Sequence, residues 1–196
     1  MESLLPLALF AFVSSITPGP NNIMLTSSGL LFGFARTVPH ILGVCVGLGL
    51  ILALSAFGIG TVLLAVPALE LILKTLGSGY LLYLAWQLRR MAFKQDEGGA
   101  AQPMSFARAV MFQFINPKCW VMAITGAAAF LPALQPVGLA IGLFCLVFCA
   151  VNMPCVSLWA GTGAVLRQTL TQPKWQRLFC GVMVILTAYS AAAIWL

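Results

Sequence analysis

The chain has 196 residues, 61% of them hydrophobic and 7% charged, with a net charge of +6. Soluble domains carry about 25% charged residues, so this composition, with a mean hydropathy of +1.03, excludes a soluble domain and describes an integral membrane protein. The basic excess is not a nucleic-acid surface: the Lys and Arg residues are scattered at the ends of apolar runs, where they record topology.

The first apolar run, about Leu4 to Thr26, is long enough to cross a bilayer as a helix. Glu2 stands where a signal peptide has a basic region, and no small-residue cleavage site precedes Thr17, so a retained first span is expected. Late in this run comes Thr17-Pro18-Gly19-Pro20-Asn21-Asn22. Each proline removes a backbone donor and clashes with the preceding turn. Hydrocarbon offers no water to repair the loss, so the break must face protein or a water-filled cavity. Gly19 lets the backbone approach a ligand closely. Asn21 and Asn22 either satisfy the freed backbone groups or present amides to a ligand.

A polar loop with Arg36 is expected from Ser27 to Thr37. Span two then runs from Pro39 to about Thr61, with Gly43 and Gly47 spaced for close helix packing. His40, at its start, reads as a structural residue at the membrane interface. Span three runs from about Ala68 to Leu88. Its Glu70 and Lys74 are four apart and share a face, either as a mutually neutralising anchor or with Glu70 as a titratable proton acceptor. Tyr80, Tyr83 and Trp86 form a stripe read as packing. Met91 to Pro103 is a polar loop, and Ser105 to Arg108 leads into span four, about Ala109 to Phe130. Span five (Val137 to about Leu158) carries Asn152 and a kinking Pro154. Span six is about Leu178 to Leu196.

Arg36 falls in the first loop, Arg89, Arg90, Lys94 and Arg108 flank the third, and Arg167, Lys174 and Arg177 fall in the fifth. The positive-inside rule places those loops in the cytoplasm and both termini outside. The expected fold is an all-α membrane protein of six transmembrane helices, a single domain spanning 1–196. Its three-helix halves, 1–90 and 109–196, are joined by a cytoplasmic loop, 91–108. Three spans per half make a 3+3 inverted-topology repeat with broken helices one and four, an architecture frequent in transporters that open by rocking one half against the other.

At about 1.5 Å per residue, Thr17–Asn22 lie roughly 20–27 Å in from outside, and Gln113-Phe114-Ile115-Asn116-Pro117-Lys118 roughly 6–13 Å in from the cytoplasm. The two breaks reach similar depth from opposite sides. A lysine at the bilayer centre costs about 2.5–3.5 kcal/mol on insertion scales, so Lys118 either binds a substrate carboxylate or helps couple transport to protons, or snorkels to the headgroups. Asn116 caps a helix restart or binds substrate. Asn152 packs or lines the pathway.

The cysteines Cys45, Cys119, Cys145, Cys149, Cys155 and Cys180 lie in apolar runs without a Cys-x-x-Cys pair, as free apolar thiols do. His, Cys, Asp and Glu show no metal-ligand spacing, and neither a phosphate-binding loop nor a catalytic set can be assembled. No metal, cofactor or ATP hydrolysis is therefore expected. A membrane-embedded enzyme and a structural subunit are the alternatives; the first lacks catalytic residues, and broken polar helices argue against the second.

Three strings stand in register: Thr17-Pro18-Gly19-Pro20-Asn21, Gly77-Ser78-Gly79-Tyr80-Leu81-Leu82-Tyr83-Leu84-Ala85-Trp86 and Gln113-Phe114-Ile115-Asn116-Pro117-Lys118. With them the whole chain resembles the lysine-exporter (LysE/RhtB) family of bacterial inner-membrane amino-acid exporters. The resemblance implies export of a small amino acid in exchange for protons, through a pathway lined by the two breaks. Thr17 to Ile23 and Ser105-Phe106 look most like the cysteine and O-acetylserine branch, with homoserine or threonine left open. Pro39-His40 departs from the pattern. The expected partners are the amino acid, protons and membrane lipids, and the glycine-rich faces of spans two and three allow a homodimer.

Overall fold

A helix satisfies its own backbone groups, which is why so apolar a chain folds into helices. The computed structural model describes residues 4–59, 65–93, 102–131, 136–169 and 173–195, and among them there is no strand. In chain order the helices are α1 (Leu4–Ile16), α2 (Pro20–Phe32), α3 (Phe34–Ala56), α4 (Pro67–Phe93), α5 (Phe106–Ile115), α6 (Pro117–Phe130), α7 (Val137–Thr169) and α8 (Pro173–Ala193). Among the described residues α3, the Pro67–Trp86 part of α4 and the Val137–Arg167 part of α7 are long and apolar enough to cross a bilayer. α1 and α2 make a fourth candidate, bent by 57° at their break. α5 and the Arg177–Ala192 part of α8 are shorter apolar helices.

The first connection is tighter than the sequence predicts. Ser27 to Phe32 are not a loop but the end of α2, and α3 begins five residues before Pro39. Only Gly33 separates the two helices, at φ +82°, a left-handed conformation that glycine adopts without a Cβ penalty. The serines sit in helix because their hydroxyls find partners inside the protein. Ser27 Oγ donates to the Ile23 carbonyl at 2.8 Å, and Ser28 Oγ pairs with Thr37 Oγ1 at 2.9 Å.

α7 also runs past its expected end at Leu158 and through Pro154. Met91–Phe93 are the last turn of α4 rather than loop, while Lys94 to Ala101 lie outside the described residues. Ser105 caps α5 by accepting from the Arg108 backbone N–H at 3.4 Å.

Glycines set the closest contacts. A Cβ on Gly29 would land on the Ala160 carbonyl and one on Gly163 on the Thr26 carbonyl, so α2 and α7 meet backbone to backbone. A Cβ on Gly43 would come 2.5 Å from the Phe106 carbonyl oxygen, and one on Gly47 2.5 Å from Gln113 Cγ, which seats α3 on α5. This is the packing that their spacing predicts. α4 lies along α8, where Ser78 Oγ donates to the Ala191 carbonyl at 3.0 Å. One apolar core, including Leu7, Leu48, Ile51, Trp120, Phe144 and Phe148, joins α1, α3, α6 and α7. Outward faces are apolar as well: Leu5, Leu9, Val46, Leu50, Leu139 and Leu146 are exposed, as surface meeting lipid requires.

Gly163→Val forces a side chain onto the Thr26 carbonyl, an overpacking expected to cost about 1–3 kcal/mol or more. Gly142→Val, where a Cβ meets nothing within 4 Å, serves as the control on the same helix. Thermal unfolding in detergent is expected to show a lowered midpoint for Gly163→Val alone; equal midpoints would refute the backbone contact.

Candidate functional site

α1 stops because Pro18 and Pro20 cannot continue it, and Pro20 restarts the chain as the first residue of α2. A helix end leaves its last carbonyls without intrahelical donors, and a buried orphan is costly. Here every carbonyl from Val13 to Gly19 has a donor. Val13 and Ser14 accept from the backbone and hydroxyl of Thr17, at 3.2 and 3.1 Å. Ser15 accepts from Asn22 Nδ2 at 2.8 Å, and Ile16 from Trp159 Nε1 at 3.2 Å. The Thr17 carbonyl accepts from Asn22 Nδ2 at 2.8 Å and from Lys118 Nζ at 2.9 Å. Pro18 accepts from Lys118 Nζ at 3.4 Å, and Gly19 from the Ile23 N–H at 3.0 Å.

The second break is made in the same way. Asn116 lies between α5 and α6, its Oδ1 accepts from the Lys118 N–H at 3.2 Å, and Pro117 takes the first position of α6. This is the helix-restart cap that the sequence offered as one reading of Asn116. Trp120 Nε1 donates to the Phe114 carbonyl at 2.9 Å. Gly77 on α4 lies so close to the Ile115 carbonyl that a side chain there would collide with it.

The two breaks touch. Lys118 Nζ donates to the Thr17 carbonyl, to Thr17 Oγ1 at 3.0 Å and to the Pro18 carbonyl. All three acceptors are uncharged. The ammonium sits at the C-terminal end of α1, where the helix dipole favours a cation. Gly19 lies against this contact: a Cβ there would come 3.0 Å from Lys118 Nζ, the flexible end of the side chain. Beside this contact Asn21 and Gln113 pair reciprocally: Asn21 Nδ2 donates to Gln113 Oε1 at 2.7 Å and Gln113 Nε2 to Asn21 Oδ1 at 3.1 Å. Cys119 Sγ also donates to Gln113 Oε1, at 3.1 Å.

A cavity of about 20 Å³ lies at this junction, walled among others by Ser15, Asn22, Asn116, Lys118 and Asn152. Ser15 Oγ and Asn116 Nδ2 are buried there without a protein partner among the described residues. The structure therefore gathers Thr17, Gly19, Asn21, Asn22, Gln113, Asn116, Lys118 and Asn152 into one polar cluster, with Pro18, Pro20 and Pro117 shaping its backbone. Lys74 lines neither this cavity nor the larger one described next, and the Glu70 side chain lies outside the described residues.

A larger cavity, about 550 Å³, lies next to the break. It is bounded by Ser27 and Ser28 on α2, His40 on α3, Tyr80 on α4, Arg108 on α5 and Thr187 on α8. His40 lies six residues into α3 rather than at the start of a span. It is buried in protein, 1% exposed, and neither ring nitrogen has a protein partner among the described residues. Tyr80 and Tyr83 belong to this wall rather than to packing alone. Trp159 and Ser15 also escaped sequence reading, since their roles arise from contacts far along the chain.

The LysE type translocator family matches residues 12–193. Curated relatives described as cysteine/O-acetylserine efflux proteins include one from Escherichia coli strain K12, 32% identical over 68% of this chain and 69% of its own. One from Shigella flexneri is 32% identical over 70% and 73%, and one from Escherichia coli strain 536 is 31% identical over 68% and 69%. No solved structure matches the chain. With a match that runs from the first helix to the last and takes in both breaks, the chain belongs to the LysE family of translocators.

Proposed function

We propose that this protein is a secondary exporter that moves a small, cysteine- or O-acetylserine-like amino acid, or homoserine or threonine, out of the bacterial cytoplasm. Membership of a translocator family, relatives named for efflux and helices long enough to span a bilayer support this reading over an enzyme or a structural subunit. It is proposed to lie in the inner membrane as six spans in a 3+3 inverted repeat. α1–α2 and α5–α6 each count as one broken span, and both termini face outside.

The observation that carries the proposal is the contact of Lys118 Nζ with the Thr17 carbonyl at 2.9 Å. An amino-acid zwitterion replaces that contact with two better ones. Its carboxylate takes Lys118, a charge-assisted bond in place of a neutral acceptor. Its ammonium takes the vacated carbonyls of Thr17 and Pro18 at the negative end of the α1 dipole. Substrate binding thus unlocks one break from the other and hinges the helices there. The glycine contacts tie α2 to α7 and α3 to α5, so hinging at the breaks fits the packing better than rocking whole halves. Protons are the proposed coupling ion, with Glu70 as acceptor, because it is the one acidic residue inside an apolar run.

In inverted membrane vesicles, wild-type protein is expected to accumulate labelled cysteine or O-acetylserine saturably; no saturable movement of any amino acid tested refutes the exporter. Lys118→Ala should insert normally and lose at least tenfold in rate, whereas wild-type rates would leave Lys118 a helix cap only. For Glu70→Gln, the expected result is a transport rate that no longer follows an imposed pH gradient, and an undiminished response removes Glu70 from coupling.

A further inference from the structure

The geometry points to the cavity around His40 as the chamber that first receives the substrate, one built for an amino acid whose side chain is uncharged and largely apolar. The inference rests on the exporter reading and adds to it a place and a substrate class.

The backbone groups of a zwitterion find their partners in this wall. Neutral imidazole carries one donor and one acceptor, and His40 lines the cavity with both nitrogens unpartnered by protein among the described residues. Burying such groups costs free energy unless something bonds them. The hydroxyl protons of Ser27 and Thr187 are already given to the Ile23 and Met183 carbonyls, at 2.8 and 2.7 Å. Both residues line the cavity, and with their protons committed their hydroxyls have only acceptor capacity left, which suits a substrate ammonium. Arg108 supplies the positive charge that suits its carboxylate.

The rest of the wall selects the side chain. Tyr80 stacks at a tilt on Phe112, with centroids 5.2 Å apart, and on Tyr83 at 6.1 Å. These rings and Met24, Met104 and Met111 form an apolar, partly adaptable surface. No Asp or Glu is among the lining residues described, so a lysine or arginine substrate would bring a second cation beside Arg108 with no carboxylate to receive it. The volume falls within the roughly 300–1,000 Å³ of small-molecule sites, which leaves room for side chains longer than that of cysteine.

The chamber lies beside the break. Ile115 lines it, and the next residue, Asn116, lines the small cavity at the junction; on α2 Met24 lines the chamber and Asn22, two residues earlier, lines the small cavity. The two cavities therefore share the α5 and α2 walls next to the breaks.

The test is equilibrium binding of labelled methionine, leucine, cysteine and lysine to the purified full-length protein in detergent, with transport measured in proteoliposomes. Wild type should bind methionine and leucine saturably and lysine at least tenfold more weakly. His40→Ala should lose at least tenfold in methionine affinity. Ala107→Trp, which fills the cavity from an exposed lining position, should do the same with an unchanged unfolding midpoint. Wild-type affinity in a folded Ala107→Trp variant, or lysine bound as tightly as methionine, overturns the chamber. If amino acids are still exported at wild-type rate by Ala107→Trp, the chamber fails and the exporter stands. If wild type binds methionine but moves no amino acid, the exporter fails and the binding site stands.

Discussion

A single ammonium joins the two helix breaks. The carbonyls that end α1 need donors, and Lys118 arrives from the opposite break to bond Thr17 and Pro18. Much of the local structure follows from meeting that requirement. Asn22 turns back to serve the Ser15 and Thr17 carbonyls, Trp159 reaches across from α7 for that of Ile16, and Gly19 lies close against Lys118. The ammonium caps a helix end, where the dipole favours a cation, so its structural role and the proposed role in binding do not exclude each other. A group that satisfies carbonyls in one state and a carboxylate in another is suited to a switch.

The breaks were legible in the sequence because prolines within apolar runs admit few explanations. Proline at the first turn of a new helix, preceded by glycine or asparagine, is a local signal, and both restarts fall where it places them. Gly43 and Gly47 were legible for the same reason, as a spacing along one helix. The first connection was not legible. Ser27 and Ser28 look like loop residues, and only the long-range contact of Gly29 with Ala160 and the pairing of Ser28 with Thr37 make helix the better solution there. The same connection conceals the chamber: with α2 ending at Thr26, the serines fall in a loop and His40 at the start of a span. With α2 six residues longer and α3 starting at Phe34, all three are helical and buried in protein. The reciprocal pairing of Asn21 with Gln113 spans ninety-two positions, and no local pattern announces it.

The charges of the site are one-sided. Lys118 at the junction and Arg108 at the chamber face uncharged polar atoms and aromatic rings, with no acidic residue in either described lining. Such a wall welcomes a carboxylate and tolerates an ammonium only where oxygens are held ready for it. Here hydroxyls committed as donors and helix-end carbonyls provide those oxygens. On the proposed reading, selection between substrates falls to the side chain, where the wall is apolar.

The glycine clasp between α2 and α7 has a consequence for how the protein is made. α2 lies in the first half of the sequence and α7 in the second, and the same is true of α3 with α5 and of α4 with α8. The close partners of the helices made first are thus made later: Gly43 meets α5 just past the middle of the chain, and Gly29 meets α7 only in the last third. Insertion and packing are thereby separated in time, and the loop closures that end assembly bring together segments more than a hundred residues apart. Until α7 is made, the small-residue face of α2 lacks the partner that its glycine is shaped to meet.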